Sequence, residues 1–168
     1  MTDANVWMTY IEQILNKLDF DTNEYLIQGA CEAAAIYGLD GSAWAWSPNF
    51  PELTAYEFPL EDMAGNVTNV AVDEIQCAIK AAEGNRNPTD AGIRIGQEKF
   101  MFVSYDSDNN VVQLSKRGGG AAICKTATAI IIAFYVKDKP MTTGGFQTLA
   151  MAAEQVQLMG AYLKEQGY

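Results

Sequence analysis

The sequence predicts an α+β fold, in which an antiparallel sheet is accompanied by a helix near each end of the chain. Apolar residues recur at helical spacing from Val6 onward, and again from about Thr143 to Glu165. The second half of the chain alternates short apolar segments with turn residues, which is typical of strands. The connections between these segments are too short for crossovers, so neighbouring strands are expected to be antiparallel.

The composition is typical of one folded domain, and we expect residues 1–168 to form it. The chain has 168 residues, of which 49% are hydrophobic, enough to bury a core. No apolar run approaches the roughly 20 residues that span a bilayer.

The net charge of −10 disfavours nucleic acid and anionic membranes as partners. The first residues lack the features of a secretory signal and the three cysteines lack metal-type spacing, which favours reduced thiols in a cytosol.

The N-terminal helix is predicted from one apolar arc. At about 100° per residue, six apolar side chains lie on the same side of the cylinder. They are Trp7, Tyr10, Ile11, Ile14, Leu15 and Leu18. Thr2 or Asp3 is the candidate N-cap of this amphipathic helix.

The segments "AAAIYG" (33–38) and "SAWAWS" (42–47) flank a turn and predict a strand–turn–strand unit. Two of the three tryptophans, Trp44 and Trp46, belong to the second strand. Residues two apart on a strand point to the same face, so the two indole rings are expected to lie together. Such a pair is either core or an aromatic platform, and periodicity alone favours core.

A further helix is predicted over 70–84, "VAVDEIQCAIKAAEG", where apolar residues have helical spacing and Gly84 is a natural stop. An antiparallel meander follows. Its strands are "AGIRIG" (91–96), "KFMFVSYD" (99–106), "NVVQLSK" (110–116), "AAICKT" (121–126) and "TAIIIAFYV" (128–136). The run Ala129–Val136 is apolar throughout, which predicts a central strand covered on both faces.

The last helix is predicted from about Thr143 to Glu165 and carries two apolar stripes. The first stripe is Phe146, Leu149, Ala150, Ala153, Val156 and Gly160, and the second is Met151, Leu158 and Tyr162. One stripe can cover the sheet. The other needs a neighbour, for which the N-terminal helix is the obvious candidate.

The sequence lacks the residues that most catalytic sites require. Histidine is absent, which excludes the commonest general base and any Ser-His or Cys-His pair. The segment "KRGGGAA" (116–122) lacks the GK[ST] ending of a phosphate loop, and "DSDNN" (106–110) lacks the glycine and glutamate of a calcium loop. Both are predicted to be turns, and a hydrolase using Cys31, Cys77 or Cys124 is disfavoured without histidine. We expect no catalysis, no bound metal and no cofactor.

Several motifs, in order along nearly the whole chain, resemble the profilin family and most closely its plant-type branch. They are "WMTY" (7–10), "GLDGSAWAWSPNFPEL" (38–53), "GIRIGQEKFMF" (92–102), "KRGGGAAICKT" (116–126) and "KPMTTGGFQ" (139–147) followed by "YLKEQGY" (162–168). Each motif is weak alone, but together they are specific. Residues 61–91 look longer than in plant forms and resemble the enlarged segment of profilins from alveolate protists.

The resemblance implies a central antiparallel sheet with the N- and C-terminal helices packed on one face and small helices elsewhere. It also implies two binding surfaces. The groove for proline-rich segments would comprise Trp7, Tyr10, Trp44, Tyr162 and Tyr168. The surface for monomeric actin would include Lys116, Arg117, Thr143, Gly144, Gly145 and Thr148. Trp46 stands where related sequences often carry a polar residue.

The function implied by this resemblance is that of a monomeric protein of the cytoplasm and cytoskeleton. It would bind actin monomers, deliver them to proline-rich assembly factors such as formins, and so regulate polymerisation. Residues 146–157 contain neither Lys nor Arg, where many profilins have basic residues, which argues against strong actin binding. The phosphoinositide binding of the family is disfavoured by the net charge of −10. The alternative is a small-ligand sensor or regulatory domain on a similar sheet, which would contain an enclosed apolar cavity.

Overall fold

The computed structural model describes the backbone of residues 4–168 and the side chains from Val6 onward, so the predicted N-cap at Thr2 or Asp3 lies outside the described residues. The described residues form three helices and eleven strands. In chain order these are α1 (Ala4–Leu15), β1 (Lys17–Asp19), β2 (Glu24–Ile27), β3 (Ala33–Gly38), β4 (Ala43–Trp46), β5 (Ala55–Glu61), β6 (Val67–Asp73), α2 (Glu74–Ala81), β7 (Ile93–Ile95), β8 (Glu98–Asp106), β9 (Val111–Lys116), β10 (Gly119–Lys125), β11 (Ala129–Val136) and α3 (Leu149–Glu165).

A seven-stranded sheet with the order β4-β3-β11-β10-β9-β8-β7 forms the centre of the molecule. Its neighbouring strands are antiparallel, as the short connections predicted. β11 lies between β3 and β10, and Ile130, Ile131 and Ile132 are completely buried. Successive side chains of a strand point to opposite faces, so this burial confirms that both faces of β11 are covered.

The two terminal helices cover one face of the sheet and α2 covers the other. Ile14 of α1 and Val156 of α3 belong to the same buried cluster as Ile131. Ile79 of α2 belongs to the cluster on the opposite face, together with Ile130. The predicted α+β fold, with both terminal helices on one face, is therefore confirmed.

A buried glutamine fastens α1 to α3. The Nε2 atom of Gln155 lies 3.0 Å from the carbonyl oxygen of Gln13, 2.9 Å from that of Ile14 and 3.0 Å from that of Asn16. The last carbonyl groups of a helix have no partner within it. Gln155 therefore satisfies the end of α1 and fixes where that helix lies across α3.

The helix predicted over 70–84 is wrong in its first four residues, which belong to β6. Val70 and Val72 face inward with period two, and β6 pairs with β5 in a separate two-stranded sheet. The helix begins at Glu74 because the Asp73 carboxylate caps it by accepting hydrogen bonds from the amides of Ile75 and Gln76. The hairpins formed by β1 with β2 and by β5 with β6 were not predicted.

The last helix begins at Leu149, several residues after the predicted start. Thr148 is its N-cap, and Gly144 and Gly145 have the positive φ angles of a turn. The predicted first stripe is wrong at Phe146, which precedes the helix, and at Ala150, because both residues are exposed. The buried residues of α3 are instead Ala152, Ala153, Gln155, Val156, Met159, Gly160 and Leu163.

The Asp-rich segment is a turn, as predicted, whereas the turn predicted for the glycine-rich segment is shorter, because Gly119 and Gly120 belong to β10. The β9–β10 turn contains Arg117 and Gly118, and the Asp106 carboxylate accepts hydrogen bonds from the amides of Asp108 and Asn109 in the β8–β9 turn. None of the helices within residues 4–168 is both long and apolar enough to cross a membrane.

Candidate functional site

The two tryptophans of β4 point to opposite faces of the sheet, so the prediction that they lie together is wrong. Ala45 pairs with Ile36 and Ala43 pairs with the next residue of β3, which leaves Trp44 as an extra residue in β4. A β-bulge of this kind shifts the alternation of side chains by one position. Trp44 therefore packs against the core beneath α1 and α3, whereas Trp46 lines a cavity on the other face and is 50% exposed.

Five aromatic side chains from three distant parts of the sequence form one continuous group, here called the aromatic cluster. Its members are linked ring to ring and are Trp7, Tyr10, Trp44, Tyr162 and Tyr168. The ring centroid of Trp7 lies 5.3 Å from Tyr10, 5.0 Å from Trp44 and 5.3 Å from Tyr168. Tyr10 lies 5.3 Å from Tyr162, and Trp44 lies 5.7 Å from Tyr168. Most of these pairs meet edge to face, the arrangement that aromatic quadrupoles favour.

The end of α3 brings Tyr168 back towards α1. Gly167 has a φ of 92°, a left-handed conformation that glycine adopts without strain. The amide of Tyr168 donates to the carbonyl of Leu163 at 2.9 Å, and the amide of Gly167 donates to that of Lys164 at 3.1 Å. These are the two hydrogen bonds of a Schellman motif. The chain consequently turns back on itself, and the last ring reaches Trp7 and Trp44.

The aromatic cluster is open on one side. Trp7 is only 9% exposed and forms its floor. Tyr10, Trp44 and Tyr168 are half-buried, and Tyr162 is 38% exposed at the border. The rings are thus supported from below by the core while part of each upper ring remains accessible to a ligand.

Polar side-chain atoms of the aromatic cluster form hydrogen bonds both within the cluster and to the turn before β4. The hydroxyl groups of Tyr10 and Tyr162 lie 3.4 Å apart, and this hydrogen bond, assisted by burial, raises the pKa of Tyr10 to about 12. The Nε1 of Trp44 donates to the Ser42 hydroxyl at 3.1 Å, and that hydroxyl donates to Asp40 at 2.6 Å. The hydrogen bonds from Ser42 lower the pKa of Asp40.

The indole of Trp44 lies so close to the backbone of β3 that position 38 must be a glycine, which has no Cβ atom. A Cβ atom at Gly38 would lie 2.6 Å from Oδ1 of Asp40 and 2.9 Å from Nε1 of Trp44. The sequence predicts a turn between residues 38 and 42, but it does not indicate the contribution of Gly38, Asp40 or Ser42 to the position of Trp44.

The six residues expected at the second surface lie near the other end of the sheet. Lys116 forms an ion pair with Glu98, and Arg117 is exposed in the β9–β10 turn. Thr143, Gly144 and Gly145 are exposed in the segment before α3, and the hydroxyl of Thr148 is used to cap that helix. The amide of Lys137, which begins this segment, donates to the carbonyl of Gly118 in the turn at 2.9 Å. The turn and the segment are therefore neighbours.

The aromatic cluster and this second group are separated along β11. Tyr37, beside the bulge at Trp44, pairs with Ile130, whereas Gly119, the first residue after the β9–β10 turn, pairs with Val136. Six residues of a strand span about 20 Å. The structure thus joins the five rings in one cluster and keeps them apart from the β9–β10 turn, which contacts the segment before α3 through Lys137 and Gly118.

The three cysteines are buried among apolar side chains. Burial raises the pKa of Cys31 to about 12 and that of Cys124 to about 11, and it also raises the pKa of Cys77. A thiol with a raised pKa is a poor source of the nucleophilic thiolate. The described geometry therefore favours a structural role for these side chains.

Comparisons with known proteins agree in one family. The family model described as Profilin matches residues 5–168. A profilin from Tetrahymena pyriformis is 34% identical over 139 residues, which cover 79% of this chain and 88% of that protein. Among solved structures, Acanthamoeba castellanii profilin IA has a TM-score of 0.60 at 23% identity, covering 96% of this chain and 99% of its own. Mouse profilin IIa, solved in complex with a double repeat from the FH1 domain of mDia1, has a TM-score of 0.58 at 15% identity, with coverage of 96% and 99%.

Proposed function

The chain belongs to the profilin family, and from this premise we propose that it binds actin monomers and also binds proline-rich segments of actin assembly factors. The observation that carries the proposal is the aromatic cluster, which is open between the two ends of the chain. We further propose that residues 1–168 act as one monomeric domain in the cytoplasm and cytoskeleton, where the protein regulates actin polymerisation without chemistry of its own.

The physical properties of the aromatic cluster suit a polyproline II segment. Such a segment is already extended, so its docking loses little chain entropy, and flat rings fit between its prolines. Its carbonyl groups lack internal partners and can accept hydrogen bonds from indole and hydroxyl groups. The hydroxyl groups of Tyr10 and Tyr162 are joined by a bond of 3.4 Å, long for two hydroxyls, which a peptide carbonyl can replace.

The related mouse profilin IIa, solved with an FH1 repeat, supports formins as the class of partner. In our proposal, the groove for such segments comprises all five members of the aromatic cluster. Trp46 is outside it, because it faces the other side of the sheet.

For actin, we propose the surface at the β9–β10 turn and the segment before α3. Its residues are Lys116, Arg117, Thr143, Gly144, Gly145 and Thr148. The separation of about 20 Å along β11 supports simultaneous binding of both partners. The lack of Lys and Arg in residues 146–157 and the pairing of Lys116 with Glu98 favour modest actin affinity and give little support to phosphoinositide binding.

The small-ligand sensor is the weaker candidate. It predicts an enclosed apolar cavity beneath the sheet, whereas continuous clusters of buried side chains occupy both faces and the cavity lined by Trp46 is bordered by a half-exposed ring. The family membership also favours the first proposal.

The groove is tested with a matched pair of variants, Trp44→Ala and Trp46→Ala. Both make the same change in β4, but only Trp44 belongs to the aromatic cluster. We expect Trp44→Ala to weaken oligoproline binding by ~2 kcal/mol, roughly thirtyfold, as for a central aromatic contact. Calorimetry measures the affinity, and circular dichroism checks the fold. Equal losses in both variants, or no binding by the wild type at millimolar peptide, would contradict the proposal.

The actin interaction is tested separately by following polymerisation. Because a bound monomer cannot join a new nucleus, the protein is expected to slow spontaneous nucleation in proportion to its concentration. An unchanged lag time at a large excess of the protein would leave only the proline-rich segments as partners.

A further inference from the structure

The line along which α1 and α3 pack against each other, here called the seam, continues beyond the aromatic cluster into a small cavity. Tyr162 lines this cavity and belongs to the aromatic cluster as well, so the two are continuous. The other apolar side chains of the cavity are Leu18, Phe20, Leu158 and Met159, and we call it the hairpin pocket because the first two come from the hairpin of β1 and β2. No resemblance drew attention to these residues.

The hairpin pocket has an exposed apolar rim. Phe20 is 70% exposed and Leu158 is 42% exposed, while Met159 forms a buried base. Single exposed apolar residues are normal, but two large ones beside a cavity that adjoins an aromatic surface form a patch of the kind that binds partners.

An ion pair joins the hairpin to α3, and hydrogen bonds fix the base and the turn of the hairpin. Lys17 forms an ion pair of 2.9 Å with Glu154 of α3. At the base of the hairpin, Oδ1 of Asn16 accepts a hydrogen bond from the amide of Gly29 at 2.9 Å. The amide of Asp21 donates to the Asp19 carboxylate at 2.9 Å and closes the turn that carries Phe20. These contacts position the Phe20 ring beside the seam.

The turn that carries Phe20, beside the hairpin pocket, is acidic. Asp19, Asp21 and Glu24 lie within the turn 19–24 and its border, a stretch that contains neither Lys nor Arg. Among the described residues none of these three carboxylates has a basic group within ion-pair distance. The local field therefore favours a cation next to the apolar patch.

The spacing along the seam matches that of a polyproline II helix. The six residues from Trp7 to Gln13 span about 9 Å along α1. One turn of polyproline II, three residues, also spans about 9 Å. Gln13 lies at the edge of the hairpin pocket. A segment that docks on Trp7 and follows the seam therefore presents a side chain to the hairpin pocket about one turn later.

Because the cavity itself measures only about 30 Å³, room for one water molecule, we propose that its exposed rim of Phe20 and Leu158 binds a bulky apolar side chain, followed by a Lys or Arg, on the flank of the proline-rich segment. This inference rests on the proposed function and deepens it, because it names a feature of the ligand outside the proline run. The apolar side chain would cover Phe20 and Leu158, and the cation would lie near the carboxylates of the turn.

The test compares an oligoproline peptide with the same peptide extended by Leu-Lys, Ala-Lys or Leu-Glu, each at either end. Calorimetry is carried out on the wild type, on Phe20→Ala and on Leu26→Ala. Leu26 is a matched control because it is an exposed leucine of the same hairpin that does not line the hairpin pocket. Phe20 is largely exposed, so its removal should leave the fold intact.

We expect the Leu-Lys extension at one end to strengthen binding to the wild type roughly tenfold over plain oligoproline. Phe20→Ala should remove most of this gain and leave the affinity for plain oligoproline unchanged. Leu26→Ala should keep the gain. Ala-Lys and Leu-Glu should each retain only part of it, and added salt should reduce the contribution of the lysine.

The outcomes separate the two proposals. If oligoproline binds but the Leu-Lys extension adds nothing, or if Phe20→Ala keeps the gain, the hairpin pocket is not the site and the proposed function stands. If Leu26→Ala loses the gain as Phe20→Ala does, the flank binds the hairpin without using the pocket and the inference is overturned. If no peptide binds the wild type, both proposals fail.

Discussion

The aromatic cluster and the Glu74 carboxylate lie on opposite faces of the central sheet, and their polar groups differ in how fully they are satisfied. On the face of the terminal helices, the aromatic cluster is half-exposed, and the hydroxyls of Tyr10 and Tyr162 are joined by a bond of 3.4 Å. On the other face, the carboxylate of Glu74 is completely buried and accepts three hydrogen bonds. A fully hydrogen-bonded network such as that of Glu74 stabilises one arrangement of its side chains. The rings of the aromatic cluster are partly hydrated and the bond between Tyr10 and Tyr162 can be replaced, so a ligand can gain free energy by covering the rings and forming hydrogen bonds of its own.

The Glu74 junction joins three parts of the chain. One oxygen accepts from the amide of Thr54 at 3.1 Å, and the other accepts from the hydroxyl of Tyr56 at 3.0 Å and the amide of Gln97 at 2.6 Å. The carboxylate thus links the start of α2 with β5 and with the β7–β8 turn. A buried acceptor with three donors is difficult to replace, because each donor left alone loses its hydrogen bond to water as well.

The largest effect on stability is expected for Glu74→Ala. Removal of the carboxylate leaves three donors without their acceptor, and the free energy of unfolding should fall by roughly 3 to 5 kcal/mol. Urea denaturation measures this change, and Tm should fall by roughly 10 °C. Glu74→Gln keeps the shape and one acceptor oxygen, so its loss should be smaller.

The same variant tests whether the two faces are independent. At a temperature where Glu74→Ala is folded, its affinity for oligoproline should equal that of the wild type, since distant sites contribute additively. A loss of affinity as large as that of Trp44→Ala would show that the junction supports the aromatic cluster, and the contrast between the faces would be wrong.

Much of the fold could be predicted from periodicity because its core elements are strongly patterned. β11 was found with the bounds of the apolar run, and the strands of the meander followed from their turns. The β5–β6 hairpin was missed because most of its residues are exposed and show little apolar alternation. The start of α2 was placed too early although Asp73, a good N-cap, marks it in the sequence.

Local sequence patterns predict the aromatic cluster only in part. Periodicity placed Trp7 and Tyr10 on one helix face, but only the family resemblance connected them with Trp44 and with Tyr168. A β-bulge decides to which face of the sheet Trp44 points. Such a bulge reverses the direction of a side chain but leaves no mark in the alternation of residues along the sequence. The hairpin pocket was missed because Phe20 lies in an acidic turn, where no apolar period draws attention to it.

A smaller effect on stability is expected from the ionisation of Tyr10, which belongs to the aromatic cluster. Its pKa is raised from 10.0 to about 12, first by the hydrogen bond with Tyr162 and then by burial. A raised pKa means that the folded protein holds this proton more tightly than the unfolded chain. The stabilisation is therefore complete below pH 10.0 and is lost as the pH rises through about 12.

Tyr162→Phe should lower the pKa of Tyr10 towards 10.0, because the ring contact remains while the hydroxyl partner is removed. The near-ultraviolet absorbance of tyrosinate measures the titration, and subtraction of the curve of Tyr10→Phe identifies the contribution of Tyr10. A bound oligoproline that takes over this hydrogen bond should also change that contribution. If Tyr10 titrates identically with and without the Tyr162 hydroxyl, the two groups are not bonded in solution, and the aromatic cluster is open even without a replaceable bond.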